Sequence, residues 1–148
     1  MKQINHKILL LVEDNEDDVE LTQRALRQHN LANKVVVARD GQEALDYIFR
    51  EGTFSHITKD EEPQLVLLDL QLPKIGGLEV LRRIRGNKET KFLPVVILTT
   101  SKEESDIVNS YTHGANSYIR KPVDFEQFSH AVRQLGLYWL VLNEVPSQ

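Results

Sequence analysis

No cysteine occurs anywhere in the 148 residues, which excludes disulfides, thiolate metal sites and cysteine nucleophiles together. Nor is there a long apolar run near the start. After the polar segment Met1–Lys7, the apolar run Ile8–Val12 has only five residues, too short for a signal-peptide core or a membrane span. A basic excess is missing as well. The formal charge of −4 leaves no basic stripe for a nucleic-acid surface, and no DNA- or RNA-binding motif is visible. Repeats, low-complexity tracts and interdomain linkers are absent too. The length suits one domain with its own core and leaves no room for a second of ordinary size. Apolar and charged fractions of 41% and 27% are those of a folded chain, not a disordered one. The expectation is a single soluble domain of the cytoplasm, bound neither to a membrane nor to nucleic acid.

What is present is an alternation. Short apolar runs near 7–12, 34–38, 65–69, 94–98 and 116–119 are separated by segments of helical period near 16–30, 41–50, 77–86, 103–112 and 124–142. Continuous apolar runs suit strands buried on both faces, and their alternation with helices is the pattern of a parallel α/β sheet. Ala44, Leu45, Ile48 and Phe49 form a one-sided stripe on the second helix, and Leu78, Leu81 and Ile84 one on the third. Asp40-Gly41 and Gly76-Gly77 mark the turns into those helices. Right-handed crossovers then give an α/β doubly wound (βα)5 sandwich of flavodoxin-like type. Strand order 2-1-3-4-5 sets strands one, three and four side by side at the switch point. Residues 51–64 form a polar connection long for a compact domain, read here as a structural spacer.

The strand ends carry the chemistry. Leu65–Leu68 closes on Asp69, Ile8–Val12 runs into Glu13-Asp14, Pro94–Leu98 into Thr99-Thr100-Ser101, and Ser117–Arg120 into Lys121-Pro122. Ligand sites of open α/β sheets lie at the carboxyl edge, so parallel strands would gather three carboxylates, a hydroxyl and an ammonium there. Such a set suits a divalent cation and a phosphoryl group, since Mg²⁺ needs few protein oxygens beside its waters. Each residue also has a plainer explanation. Helix-capping and macrodipole chemistry accounts for Glu16, Asp17 and Asp18 and competes with the metal reading for Glu13 and Asp14. A polar strand end can simply be exposed (Asp69), Thr99 can merely end its strand, and a lysine before proline is often solvated. Occurring in this order on successive strand ends, they point together to one site.

With these residues in hand, the chain over 7–135 resembles the receiver domain of two-component response regulators. The likeness rests on Glu13-Asp14, on Asp69 within Leu67–Pro73 with Gly77 after it, on Thr99, and on Tyr118 through Lys121-Pro122. It is similar in particular to small receivers that partner bacterial phytochrome histidine kinases. Because the chain stops without an output domain, it is expected to be one receiver over 1–148, with a C-terminal extension at 136–148. The resemblance implies Mg²⁺ held by Glu13, Asp14, Asp69 and the backbone carbonyl of Gln71. It makes Asp69 the acceptor of a phosphoryl group from a phosphohistidine on a sensor histidine kinase, with charge offset by Lys121. Thr99 would then turn toward the phosphoryl group and Tyr118 would follow, changing the face of helix four, strand five and helix five. Thr100 stands where many receivers have alanine, which bears on access to the site, and Gly76 where aspartate is common. Gln71 and Ser101 occupy positions that tune dephosphorylation in this family.

Phe125, Phe128, Val132, Leu135, Trp139 and Leu142 recur at 3-4-3-4-3 spacing, a core stripe. Beyond Gly136 the run Leu137–Leu142 is apolar all round, which invites a partner. A homodimer through the helix four, strand five, helix five face is expected, with Tyr138, Trp139 and Leu140 among its contacts. The alternative is a tail folded back on its own domain. Rival functions are weaker. A flavin carrier on this architecture would need a hydroxyl- and glycine-rich loop after strand one, and that loop is acidic. A phosphohydrolase would need a second acid near Asp69, and Gln71 stands two residues on. A relay that passes its phosphoryl group onward remains an alternative to a terminal switch. As a receiver the protein would be no general enzyme, catalysing only its own phosphorylation and dephosphorylation.

Overall fold

The computed structural model describes residues 8–29, 34–101, 103–121 and 124–136. Its strands are β1 (Ile8–Val12), β2 (Lys34–Ala38), β3 (Leu65–Leu68), β4 (Val95–Thr99) and β5 (Ser117–Arg120). They alternate with α1 (Glu16–Gln28), α2 (Gly41–Phe49), α3 (Gly77–Arg85), α4 (Glu104–Thr112) and α5 (Phe125–Gly136). All strand pairs are parallel, in the order β2-β1-β3-β4-β5, so the expected flavodoxin-like topology is the observed one. No helix among the described residues is long and apolar enough to cross a membrane.

Because side chains alternate across a strand, each central strand feeds two cores. Leu9, Leu11, Leu65, Leu67, Val96 and Leu98 face Val19, Ala25 and Leu26 of α1 and Phe128 and Val132 of α5. Leu10, Val12, Val66, Leu68, Val95 and Ile97 face Ala44, Leu45, Tyr47 and Ile48 of α2 and Val80, Leu81 and Ile84 of α3. Each fully buried leucine or valine contributes about 1.5–3 kcal/mol relative to exposure. The expected stripe on α3 is shifted: Val80 is buried and Leu78 only half-buried, because Val80, Leu81 and Ile84 share the face turned to the sheet.

The connection 51–64 is packed rather than a bare spacer. It forms two 3₁₀ turns, Gly52–Phe54 and Lys59–Glu61, and brings Phe54 and Ile57 against the second core. Phe54 meets Tyr47 edge to face at 5.1 Å between ring centroids, and the Tyr47 hydroxyl donates to the Glu61 carbonyl at 2.8 Å. At the opposite end of the molecule from the carboxyl edge, Arg85 ties α3 to its surroundings. Its guanidinium donates to the carbonyls of Gly114 (2.9 Å), Leu93 (2.7 Å) and Lys91 (3.2 Å) and to Asn116 Oδ1 (2.8 Å). Asn116 Oδ1 also accepts from the Val95 amide at 2.7 Å, so one side chain secures the starts of both β4 and β5.

Candidate functional site

Glu13 follows β1 but does not leave the sheet. Its amide donates to the Ala38 carbonyl of β2 at 2.9 Å, and the residue is 3% exposed. Asp69 is placed in the same way on the other side of β1, its amide donating to the Val12 carbonyl at 3.1 Å. Asp14, one residue beyond Glu13, is exposed at the rim. The chain then turns at Asn15, whose Oδ1 accepts from the Asp18 amide at 3.0 Å and caps α1. The edge of the sheet thus holds three acids as expected, and one carboxylate oxygen from each of Glu13, Asp14 and Asp69 falls within 4.8 Å of the others.

The segment behind Asp69 is held by close backbone packing. Gly77 donates its amide to the Leu70 carbonyl at 3.0 Å. A Cβ there would press into the Asp69 carbonyl and come within 2.8 Å of Leu70 Cα, so only glycine fits. Lys74 takes a left-handed backbone, φ 68°, and the Pro73 carbonyl accepts from the Gly41 amide at 3.3 Å. The start of α2 therefore braces the loop that carries Asp69. The Gln71 amide lies 3.4 Å from Asp69 Oδ1, at the rim where Gln71 is exposed.

Lys121 enters from β5. Its amide donates to the Thr99 carbonyl at 2.8 Å, extending the β4–β5 pairing past Arg120. Its side chain is only 6% exposed, and the ammonium is ion-paired with Glu13, with Asp18 Oδ2 at 2.9 Å and with Asp69 Oδ2 at 3.5 Å. Burial alone would pull the lysine down, but the bonds to Glu13 and Asp18 and the charge of Asp69 raise it above its ordinary value. Glu13 is pushed up to about 7, chiefly by burial, with Asp69 adding to the rise and Lys121 opposing it. Asp18 is the member that sequence reasoning missed. Its place in the first turn of α1 is fully consistent with macrodipole chemistry, and only the meeting of α1 with the end of β5 shows its second partner.

The residues expected to act as a switch lie at the ends of β4 and β5 and in the turn after β4. Thr99 is 1% exposed at the end of β4, and its Oγ1 lies 3.4 Å from the Ser101 amide. Thr100 is exposed. The Ser101 hydroxyl donates to Asp106 Oδ2 at 2.6 Å and accepts from the Glu103 amide at 3.2 Å, so it is engaged by the start of α4. Tyr118 is half-buried against the second core, with its hydroxyl donating to the Ser101 carbonyl at 3.1 Å. The residues expected at a dimer contact, Tyr138, Trp139 and Leu140, lie outside the described residues, as does Pro122.

Three carboxylates face one ammonium, and Asp14 stands beside them at the rim, which leaves an excess of negative charge at a shallow edge. The donors are oxygens throughout, which suits hard divalent cations. A family model, the response regulator receiver domain, matches residues 9–133. The chain belongs to the response regulator receiver family. Among curated relatives, the probable methanogenesis regulatory protein FilR2 of Methanothrix harundinacea is 39% identical over 94% of this chain and 87% of its own length. Response regulator Rcp1 of Synechocystis is 35% identical over 95% and 94%. Among solved structures, the phosphorylated cyanobacterial phytochrome response regulator RcpA has a TM-score of 0.88 at 41% identity, covering 96% of this chain and 99% of that one. The bacteriophytochrome response regulator RtBRR has a TM-score of 0.77 at 51% identity, covering 95% and 84%.

This receiver is therefore a phosphoacceptor module of two-component signalling, similar to the small phytochrome response regulators. Its partner class is the histidine kinase, and its acidic cluster fits a divalent metal. Rcp1 has been crystallised in a Mn²⁺-bound form, whose structure matches with a TM-score of 0.86 at 35% identity over 95% of this chain and 99% of that one.

Proposed function

We propose that Asp69 is the phosphorylated residue and that the donor is a phosphohistidine on a sensor kinase of the phytochrome class. The observation that carries this reading is the geometry around Asp69: two further carboxylates within 4.8 Å and a buried ammonium 3.5 Å from its Oδ2. A carboxylate oxygen of Asp69 attacks the phosphorus, the P–N bond to the histidine breaks, and its electron pair returns to the imidazole. An aspartyl phosphate results. Glu13, Asp14 and Asp69, with the Gln71 carbonyl, would hold Mg²⁺, which when bound offsets negative charge on the transferring group. Lys121 supplies a further positive charge already in place, the preorganised stabilisation that phosphoryl transfer depends on. The receiver acts on no other substrate; it catalyses its own phosphorylation and dephosphorylation, in the cytoplasm where charged kinases work.

The phosphoryl group then competes for the Thr99 hydroxyl. Rotation of that hydroxyl toward Asp69 withdraws the acceptor beside the Ser101 amide, and Ser101 is also what Tyr118 and the start of α4 hold. A local charge event thereby biases the β4–α4 loop and the face behind it. That face is where a homodimer would form. Val108 and Tyr111 of α4 are 53% and 52% exposed and lie three residues apart, on one side of the helix. Changing both to glutamate should turn a dimer into a monomer by sedimentation.

The test of the phosphoacceptor is intact-mass spectrometry after incubation with acetyl phosphate. One added phosphoryl group is expected with Mg²⁺, and none in chelator or in Asp69→Asn. A protein left unmodified by both acetyl phosphate and a charged phytochrome kinase would overturn the assignment.

A further inference from the structure

We propose that Asp18 is a positioning residue for the phosphoryl transfer, acting through Lys121. The inference rests on Asp69 being the acceptor and adds a group outside the metal-binding acids to the machinery. Lys121 is a flexible four-carbon stem with a point charge at its end, and three carboxylates compete for it. Its ammonium lies 2.9 Å from Asp18 Oδ2 but 3.5 Å from Asp69 Oδ2. Asp18 comes from α1, a different element from the strand ends that carry Glu13 and Asp69, and it draws the ammonium off Asp69 while leaving it within reach. Asp18 is not one of the three acids that converge as metal ligands. Once a cation shares the charge of Glu13 and Asp69, Asp18 keeps its full charge for the lysine. Its side chain is 29% exposed, so it meets Lys121 at the solvent side of the pair and closes the ammonium in.

Without that tether the ammonium has only Glu13 and Asp69 as partners, both acids of the metal cluster, and Asp69 is the nucleophile. A lysine paired directly with Asp69 occupies the oxygens that must attack phosphorus and competes with the metal for the same ligand. Asp18 thus holds Lys121 where it can meet a phosphoryl oxygen without first occupying the attacking one. The neighbouring Asp17 has the same charge and the same place in the first turn of α1, but it is exposed and stands outside the Lys121 ion-pair group. It provides the control for helix-end electrostatics.

The experiment measures the rate of Asp69 phosphorylation by acetyl phosphate at saturating Mg²⁺, with the Mg²⁺ affinity of the same proteins by calorimetry. Asp18→Asn should react about tenfold more slowly, inside the roughly hundredfold that a misplacement of about 1 Å can cost, while Asp17→Asn stays within about twofold of the parent. Asp18→Glu should recover most of the rate. Asp18→Ser, which lacks the carboxylate and suits a helix's first turn, is a second variant read in the same way. Asp18→Asn should also weaken Mg²⁺ binding more than Asp17→Asn does, and in a Lys121→Gln background that excess should vanish. The proposal is overturned by equal effects of Asp18→Asn and Asp17→Asn, by an unchanged or faster rate in Asp18→Asn, or by an Mg²⁺ effect that persists without Lys121. If the parent protein itself accepts no phosphoryl group, it is the assignment of Asp69 that fails, and the Mg²⁺ arm still decides whether Asp18 acts through Lys121.

Discussion

Replacing Lys121 by methionine removes the ammonium that faces Glu13, Asp18 and Asp69 while keeping most of the stem's volume. Breaking a buried ion pair by deleting one partner commonly costs about 3–5 kcal/mol, because the remaining charge is left uncompensated. Two features of this site place the loss at the lower end. Asp18 is 29% exposed at its side chain and can hydrate, and Glu13, pushed up to about 7, can accept a proton instead. At pH 8 in chelator, where the Glu13 of the parent is ionised against Lys121, the expected loss is about 3 kcal/mol, or about 6–12 °C in melting temperature for a chain of this length. Mg²⁺ at a hundredfold its dissociation constant adds about 2.7 kcal/mol to any form that binds it. It should add more to the variant, whose carboxylates have no resident cation to give up. Thermal and urea unfolding of parent and variant, with Mg²⁺ and with chelator, measure all four values. Equal melting of the two proteins in chelator at pH 8 would refute the view that this ammonium is the site's resting counter-charge.

Other consequences are open to direct measurement. The raised Glu13 carboxyl binds a proton in the folded state between about 4.5 and 7 that the unfolded chain does not hold. Metal-free protein should therefore grow more stable, from this group, as pH falls through that window; urea midpoints at several pH values read the slope, and Glu13→Gln should flatten it. Gly77→Ala would drive a methyl into the Asp69 and Leu70 backbone. It should cost about 2 kcal/mol by overpacking and slow phosphorylation, and a wild-type midpoint and rate would show that the loop gives way. Arg85→Met strands the acceptors that its guanidinium satisfies at Leu93, Gly114 and Asn116. A loss of about 2–4 kcal/mol is expected from buried groups left unpaired, with faster amide exchange at 93–95 and 114–116. Unchanged exchange there would remove Arg85 as the clamp of the α4–β5 turn.

Much of this receiver is legible in the chain itself. Three of the five runs, those of β1, β3 and β4, are continuously apolar and buried throughout, and they mark a parallel sheet because residues buried on both faces leave no room for polar alternation. The turns into α2 and α3 were equally readable: Asp40 caps through the Glu43 amide at 2.8 Å, and Gly77 sits where only glycine fits. The connection 51–64 was less so. Its polar composition hid the packing of Phe54 and Ile57 into the second core, since two apolar residues in a polar stretch show no period. Val80 was likewise hidden beside Leu78, because a three-residue spacing and the true helical period diverge within a single turn.

Local pattern along the chain is enough for the order of strands and helices and for the residues that end each strand, and it groups Glu13, Asp14, Asp69, Thr99 and Lys121 together. Those are properties of local pattern and of a topology with few allowed solutions. Which carboxylates the ammonium meets, the burial of Glu13 beside an exposed Asp14, and the place of Asp18 in the cluster follow from how the elements pack. Electrostatic partners are set by distances of a few ångströms between elements far apart in the chain, here Asp18 and Lys121 across 103 residues. A charge in the first turn of a helix looks the same in sequence whether it faces water or a lysine.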